Sequence, residues 1–321
     1  MTEVTIPLTI MSNIITLDSK IYIAGQNGMV GSACKRALEA KGYKNIIGFS
    51  SKELDLRDQK GVFEMLERER PKAIIDAAAK VGGILANSTY PYEFLMDNML
   101  IQNNLIRAAH DLEITKFIFL GSSCIYPKMA PQPLKEEYLL TSTLEETNQW
   151  YAIAKISGVK LIEALKEQYN RDYVSLMPTN LYGPGDNYDL ETSHVLPALI
   201  RKFHEAKQNN NADVVLWGTG VPKREFLHVD DLANAVIYAL ENKLNKSLYN
   251  IGSGEEVSIK DLARLIKNIV GFKGEIIWDK SKPDGTPRKL LDSSIYRSIT
   301  GWNPKINLEK GIKNTYKNYN D

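Results

Sequence analysis

The sequence predicts an α/β protein: a doubly wound parallel sheet with a smaller, loop-rich C-terminal domain. Short, unbroken apolar runs recur through the first 177 residues. Helical patterns of about ten or more residues separate them, as parallel crossovers require. The runs lack the polar alternation of a half-wet strand, which suits a sheet covered on both faces. Past Pro178, loops rich in Gly, Pro, Asn and Asp (178–193, 218–223, 252–256, 280–287) interrupt shorter elements.

Residues 21–24 form the first strand and run straight into Gly25. A helix follows, with Val30, Ala33, Cys34, Ala37 and Leu38 on one face. Residues 46–49 read as the second strand, 61–70 as a helix closed by Pro71, and 73–79 as the third strand. A long helix over 94–110 leads to a fourth strand at 116–120. A further helix runs from Asn148 through Tyr169, before a strand at 173–177. The divisions expected are an N-terminal extension at 1–19, a first domain at 20–177 built on the parallel sheet, and a second, loop-rich part at 178–321. Some segments of that last part are expected to return to the first sheet.

The 321 residues are 43% hydrophobic and 25% charged, ordinary for a soluble globular chain. A net charge of +1 gives no global field for nucleic acid. Cys34 and Cys124 are too few for a disulfide framework and lack zinc-site spacing. No metal is expected, and the usage fits a reducing compartment. No run approaches the roughly 18–20 apolar residues of a membrane span. The apolar stretch at 6–10 lacks a basic flank and a cleavage site. A cytoplasmic protein without membrane or nucleic-acid partners is expected.

Gly25, Gln26, Asn27, Gly28, Met29, Val30 and Gly31 place glycines at a G-x-x-G-x-x-G spacing between strand and helix. Glycine lets backbone N–H groups approach a pyrophosphate, and the helix N-terminus faces that anion with partial positive charge. Glycines also serve any turn, but the flanking strand and helix favour a Rossmann-type nucleotide site. At the end of the second strand stand Phe49, Ser50, Ser51 and Lys52, with no carboxylate to bond a ribose 2′-hydroxyl. Two hydroxyls and a lysine suit a 2′-phosphate, which favours NADP(H). Asp55 either bonds the adenine amino group or caps a helix.

Tyr151 and Lys155 stand at i and i+4 on one helix face. An ammonium there is expected to lower the phenol's pKa and make it an acid or base near neutrality. Ser122 follows an apolar strand, at the end where an open parallel sheet presents its ligand-facing residues. Its hydroxyl either bonds a reacting carbonyl oxygen or, with Ser123, caps a turn.

The glycine turn, the serine and the Tyr-x-x-x-Lys pair together resemble the extended short-chain dehydrogenase/reductase superfamily. Residues 78–84 (AAKVGGI), 121–127 (GSSCIYP), 177–184 (MPTNLYGP), 224–231 (REFLHVDD) and 282–289 (KPDGTPRK) narrow this to the GDP-L-fucose synthases. The resemblance runs from about Lys20 to the C-terminus. It implies epimerisation of GDP-4-keto-6-deoxy-D-mannose at C3 and C5, then NADPH-dependent reduction at C4. Cys124 and His194 match the acid and base of epimerisation, although a lone Cys is usually core and a lone His a surface group. Tyr151, Lys155 and Ser122 match the reductive set. The resemblance places Leu120, Gly121, Pro178, Thr179, Asn180, Leu181 and His194 along the cofactor. It places Lys202, Trp217, Arg224, Asp284 and Lys289 around the GDP-sugar, with Lys202 otherwise a solvated charge and Trp217 otherwise core. Some bacterial relatives carry arginines at the positions of Asn27 and Ser51, whereas others share the Ser-Ser-Lys run. A homodimer through cofactor-domain helices, including the one bearing Tyr151, is also implied. The rivals are a 4-epimerase or 4,6-dehydratase with tightly held NAD, and a redox-silent sensor, which would be expected to lack the Tyr or Lys.

Overall fold

A computed structural model describes residues 15–282 and 284–320. Most of the expected extension at 1–19, including the apolar stretch at 6–10, lies outside the described residues, as does Pro283. The first half holds β1 (Ile21–Ala24), α1 (Met29–Ala40), β2 (Ile46–Ile47), α2 (Gln59–Glu69), β3 (Ala73–Asp76), α3 (Ile84–Thr89), α4 (Pro91–Asp111), β4 (Lys116–Leu120), α5 (Gln149–Tyr169) and β5 (Asp172–Pro178). The second holds β6 (Asn180–Tyr182), α6 (Val195–Gln208), β7 (Asp213–Trp217), β8 (Lys223–His228), α7 (Val229–Glu241), β9 (Leu248–Ile251), β10 (Glu256–Ser258), α8 (Ile259–Val270), β11 (Glu275–Asp279), β12 (Arg288–Lys289), α9 (Ser294–Thr300) and α10 (Leu308–Asn320).

Six strands form one parallel sheet in the order β2-β1-β3-β4-β5-β9. The chain reverses direction across the sheet at β1 and β3, so a crevice opens beyond their C-terminal ends. Strand periodicity sorts the core into two layers. Ile21, Ile23, Ile75, Ile118 and Val174 pack with Cys34 and Leu38 of α1 and Leu232 and Val236 of α7. Tyr22, Ile74, Phe117, Phe119 and Tyr173 pack against α2, α4 and α5 on the other face. Helix α5 approaches closely because Gly158 has no side chain: a Cβ there would lie 2.5 Å from the Phe119 ring. A third core, with Leu199, Phe203, Leu262 and Ile266, supports the smaller C-terminal sheets.

Local chemistry shifts three expected boundaries. Strand β2 stops at Ile47, and Phe49 instead sets its ring 6.1 Å from that of Tyr22. Strand β3 stops at Asp76 rather than Ala79, because Ala77 makes the last bond across, to the Ala24 carbonyl at 3.1 Å, where the crevice opens. Helix α2 starts at Gln59 because Asp58 caps it, accepting from the Lys60 amide at 3.1 Å. Asp55 is therefore not the cap.

The two halves meet at Glu225 of β8, which is fully buried. Its carboxylate accepts from the Leu291 amide at 2.9 Å, the Gly254 amide at 2.7 Å and the Ser253 hydroxyl at 3.4 Å. Its carbonyl accepts from Thr179 Oγ1 at 3.3 Å and Asn180 Nδ2 at 2.8 Å. Burial pushes the carboxyl above its ordinary range, against the pull of these donors. Glu225→Leu would orphan the buried Leu291 amide, at roughly 1–3 kcal/mol, while the exposed Gly254 amide can turn to water. A loss of about 2 kcal/mol in urea unfolding is expected; unchanged stability would remove Glu225 from this role.

Candidate active site

At the mouth of the crevice, Gly25 adopts φ +77°, and a Cβ there would lie 2.9 Å from the Ala77 carbonyl oxygen. Gly31 is tighter still, its added Cβ 2.1 Å from the Gly25 oxygen. Helix α1 has Gly28 at its N-cap, no side-chain cap and no acid in its first turn. Its leading amides, at Met29, Val30 and Gly31, therefore suit a diphosphate. The Gln26 side chain lies over Gly48, and Asn27 is exposed. Gly185 follows β6 and passes beside Met29.

Ser50 is engaged by a group that the sequence reading passed over. Its amide and hydroxyl both donate to Glu53 Oε2 at 2.7 Å. Ser51 and Lys52 are exposed. Asp55 pairs with Arg57 at 2.8 Å, Arg57 reaches Asp97 at 3.4 Å, and Asp97 pairs with Lys80 at 3.0 Å.

At the end of β4, Gly121 lies against Met177, leaving no room for a Cβ. Ser122 accepts from the Cys124 amide at 3.4 Å and so caps the 3-10 turn Ser123–Ile125, with its side chain only half-buried. Ser123 and Cys124 are buried. Lys155 donates to the Leu120 carbonyl at 2.9 Å, with its ammonium 4.6 Å from the Phe119 ring centroid and 5.9 Å from that of Tyr151. The expected lowering of the Tyr151 phenol is corrected here. Burial drives it upward, and the charges of Cys124 and Asp76 add to that. Burial pushes Lys155 down, opposed by Asp76 and Cys124.

Burial also pushes the Cys124 thiol up, while Lys289, Ser122 and Lys155 pull it down. His194 caps α6 through its backbone alone. Loss of solvation first, and then the charge of Lys289, hold the His194 ring below its ordinary pKa. Both favour the neutral imidazole over the imidazolium. The charge of Lys289 thus acts on both Cys124 and His194, a coupling that sequence alone did not reveal. Burial lowers Lys289 itself, with Cys124 opposing and Arg224 assisting.

Thr179 and Asn180, between Pro178 and Leu181, are tied to the Glu225 carbonyl at the seam of the two halves. Trp217 is 62% exposed and so is not core; Lys282 stands 5.4 Å from its ring centroid. Asp284 accepts from the Thr219 amide at 2.9 Å and hydroxyl at 2.7 Å, and its charge acts on Arg224. Burial lowers Arg224, against Asp284 and Glu145. Lys202 stands apart on α6, its pKa lowered by burial. Among the described residues, no group of His, Cys, Asp and Glu is placed to hold a metal ion.

Asn98 and Asn87 escaped the sequence reading. Buried Asn98 accepts from the Lys80 amide at 2.9 Å and donates to the Lys80 carbonyl at 3.0 Å. Asn87 donates to the carbonyls of Gly82 and Gly83 at 2.8 and 3.1 Å. The available signal was two amides set in largely apolar helical stretches.

The switch-point crevice, the glycine turn and the Ser122, Tyr151 and Lys155 grouping define a dinucleotide-dependent oxidoreductase of the short-chain type. The NAD dependent epimerase/dehydratase family model matches residues 21–252. GDP-L-fucose synthase 1 of Arabidopsis thaliana is 54% identical over 301 residues, 94% of this chain and 92% of the plant protein. GDP-L-fucose synthase of Escherichia coli K12 is 50% identical over 307 residues, 93% of this chain and 95% of the bacterial one. The crystal structure of a GDP-L-fucose synthetase from Naegleria fowleri bound to NADP superposes with a TM-score of 0.87 at 30% identity, covering 95% of this chain and 94% of that one. The chain belongs to the NAD dependent epimerase/dehydratase family and, within it, to the GDP-L-fucose synthases.

Gly31→Ala would force the glycine turn apart. A loss of dinucleotide affinity of about tenfold or more is expected in a fluorescence titration; unchanged affinity would place the diphosphate elsewhere.

Proposed function

We propose that this chain epimerises GDP-4-keto-6-deoxy-D-mannose at C3 and C5 and reduces it at C4 with NADPH, giving GDP-L-fucose. One observation supports the reading: Tyr151 and Lys155 of α5 stand against the end of β4 that carries Ser122 and Cys124, and the charge of Lys289 acts on both Cys124 and His194. The names of the relatives supply the reaction, and the NADP of the Naegleria structure supplies the cofactor. NADPH, when bound, supplies the hydride for C4. The turn from Gly25 to Gly31 would hold its diphosphate, and Ser50, Ser51 and Lys52 its 2′-phosphate. Pro178, Thr179, Asn180 and Leu181 would line the nicotinamide.

The C4 ketone makes the C3 and C5 protons acidic. Cys124 and His194 remove each proton and return one to the opposite face, while Ser122 and Tyr151 hold the negative charge that develops on O4. In reduction Tyr151 gives its proton to O4. Its raised pKa suits that task, because the phenol keeps its proton until the oxygen takes charge. Arg224, Lys202 and Lys289 meet the substrate diphosphate, Trp217 stacks on the guanine, and Asp284 fixes the Gly218–Thr219 turn beside it.

Residues 20–177 serve as the dinucleotide-binding domain and 178–321 mainly as the substrate-binding domain, with β9 completing the first sheet. A cytoplasmic setting accords with the free, buried Cys34 and Cys124. A homodimer would cover Tyr92, Met96 and Leu100 of α4 and Trp150, Ile153 and Leu161 of α5, large apolar side chains exposed on adjacent helices.

The decisive assay is turnover of the keto-sugar with NADPH in deuterated water. Deuterium at C3 and C5 with NADPH oxidation is the expected result; oxidation without label would reduce the activity to a ketoreductase. Tyr151→Phe should cut reduction by about a hundredfold or more yet leave solvent exchange, and Cys124→Ser should show the converse. Ile153→Glu should give monomers in analytical ultracentrifugation; dimers unaffected by the charge would move the interface elsewhere.

A further inference from the structure

We propose that Asp76 is a positioning residue for the reduction, a carboxylate buried beneath the site that keeps Lys155 an ammonium and Tyr151 a phenol. The inference rests on the roles given above to Tyr151 and Lys155.

Asp76 ends the apolar run of β3 and is fully buried. Its register partner on β4 is Phe119, and register partners on adjacent strands share a face of the sheet. The Phe119 ring is the floor on which the Lys155 ammonium stands, 4.6 Å from its centroid. Asp76 Oδ1 accepts one long bond, from the Ala78 amide at 3.2 Å. Oδ2 has no partner among the described residues. A buried carboxylate so poorly satisfied is costly unless an opposite charge compensates it. Tyr22 faces it from β1, and Tyr151 and Lys155 from α5, while Cys124 acts on the latter two from the turn after β4. Lys155 is the cation of this set.

The electrostatics run the same way from each partner. Burial raises Asp76 to about 6, and the charge of Lys155 is foremost in pulling it back. Among the influences opposing the desolvation of Lys155, Asp76 comes first. Asp76 also raises Tyr151, after burial and Cys124. A negative charge here favours the protonated form of both neighbours, and those are the forms that proton donation to O4 requires.

Asp76→Asn keeps the shape and removes the charge, so the test is kcat/KM for C4 reduction across pH. Parent and variant should agree within about twofold below about pH 5.5, where Asp76 carries a proton. Above that, the variant's basic limb should turn down about one pH unit earlier, making it about tenfold slower on that limb. Superimposed profiles, or the same loss at every pH, would overturn the proposal. A second measurement needs no Asp76 variant: a carbon-13 titration of the Asp76 carboxyl in the parent and in Lys155→Met. Loss of the ammonium should raise the midpoint by about one unit, and an unmoved midpoint also overturns the proposal. Tyr151→Phe, run alongside, separates the failures. If it still reduces C4, the roles above fail and the inference with them. If it does not, and the Asp76→Asn profile matches the parent, the inference alone fails.

Discussion

The shape of the cleft depends on where the C-terminal segments return to the parallel sheet, and the buried Glu225 carboxylate governs that return. Strand alternation, which turns Glu225 inward, turns Arg224 to the opposite face. The Glu225 bond to the Leu291 amide anchors the chain just beyond β12, whose register sets Lys289 opposite Arg224. A second seam runs alongside. Leu134 donates to the Leu290 carbonyl at 2.7 Å, and Tyr126 reaches Asn250 at 2.6 Å, holding the loop after Cys124 against the same segment. The Glu225 carboxylate, the Tyr126 hydroxyl and the Leu134 amide thus hold the loop after Cys124 and the segment that follows Lys289 in place.

The cleft concentrates cations that burial has made reluctant to stay charged. Lys155, Lys289 and Arg224 all have their pKa lowered by desolvation. On the proposed assignment an anionic ligand relieves this for Lys289 and Arg224, since a diphosphate supplies the counter-charge that water no longer does. Lys155 lies deeper, bonded to a backbone carbonyl and set over a phenyl ring. Its compensation has to come from the protein, and Asp76 is the carboxylate placed to give it.

What sequence revealed, and what it did not, divides along this line. The first five parallel strands were legible as short, mainly apolar runs, whereas β9, which carries Asn250, was expected only as some segment returning to the sheet; the glycine turn was legible because strand and helix flank it within a few residues. Ser122, Tyr151 and Lys155 were legible as chemistry at a strand end and on one helix face. Glu53 beside Ser50 was within reach, a carboxylate only three residues on. Glu225 was not, because its donors come from residues 253, 254 and 291. Asp76 was hidden for the opposite reason: in sequence it is one polar residue within a strand, and only the register with Phe119 shows what stands above it. Lys289 was assigned to the substrate by its motif, while its proximity to Cys124 and His194 is a product of the fold.

On the proposed assignment, one oxygen couples the two halves of the chemistry. The ketone at C4 is what makes the C3 and C5 protons removable, so reduction of that ketone ends epimerisation. Both proton exchanges must therefore precede the reduction, though both stages use the same hold on O4. A phenol driven upward by burial and by the charges of Cys124 and Asp76 serves this order. It can share its proton with the partly charged oxygen of an enolate while keeping it. It gives the proton up only to the far more basic oxygen formed when C4 is reduced. Lowering the phenol's pKa toward neutrality, as the sequence suggested, would weaken that distinction; the burial of Tyr151 preserves it.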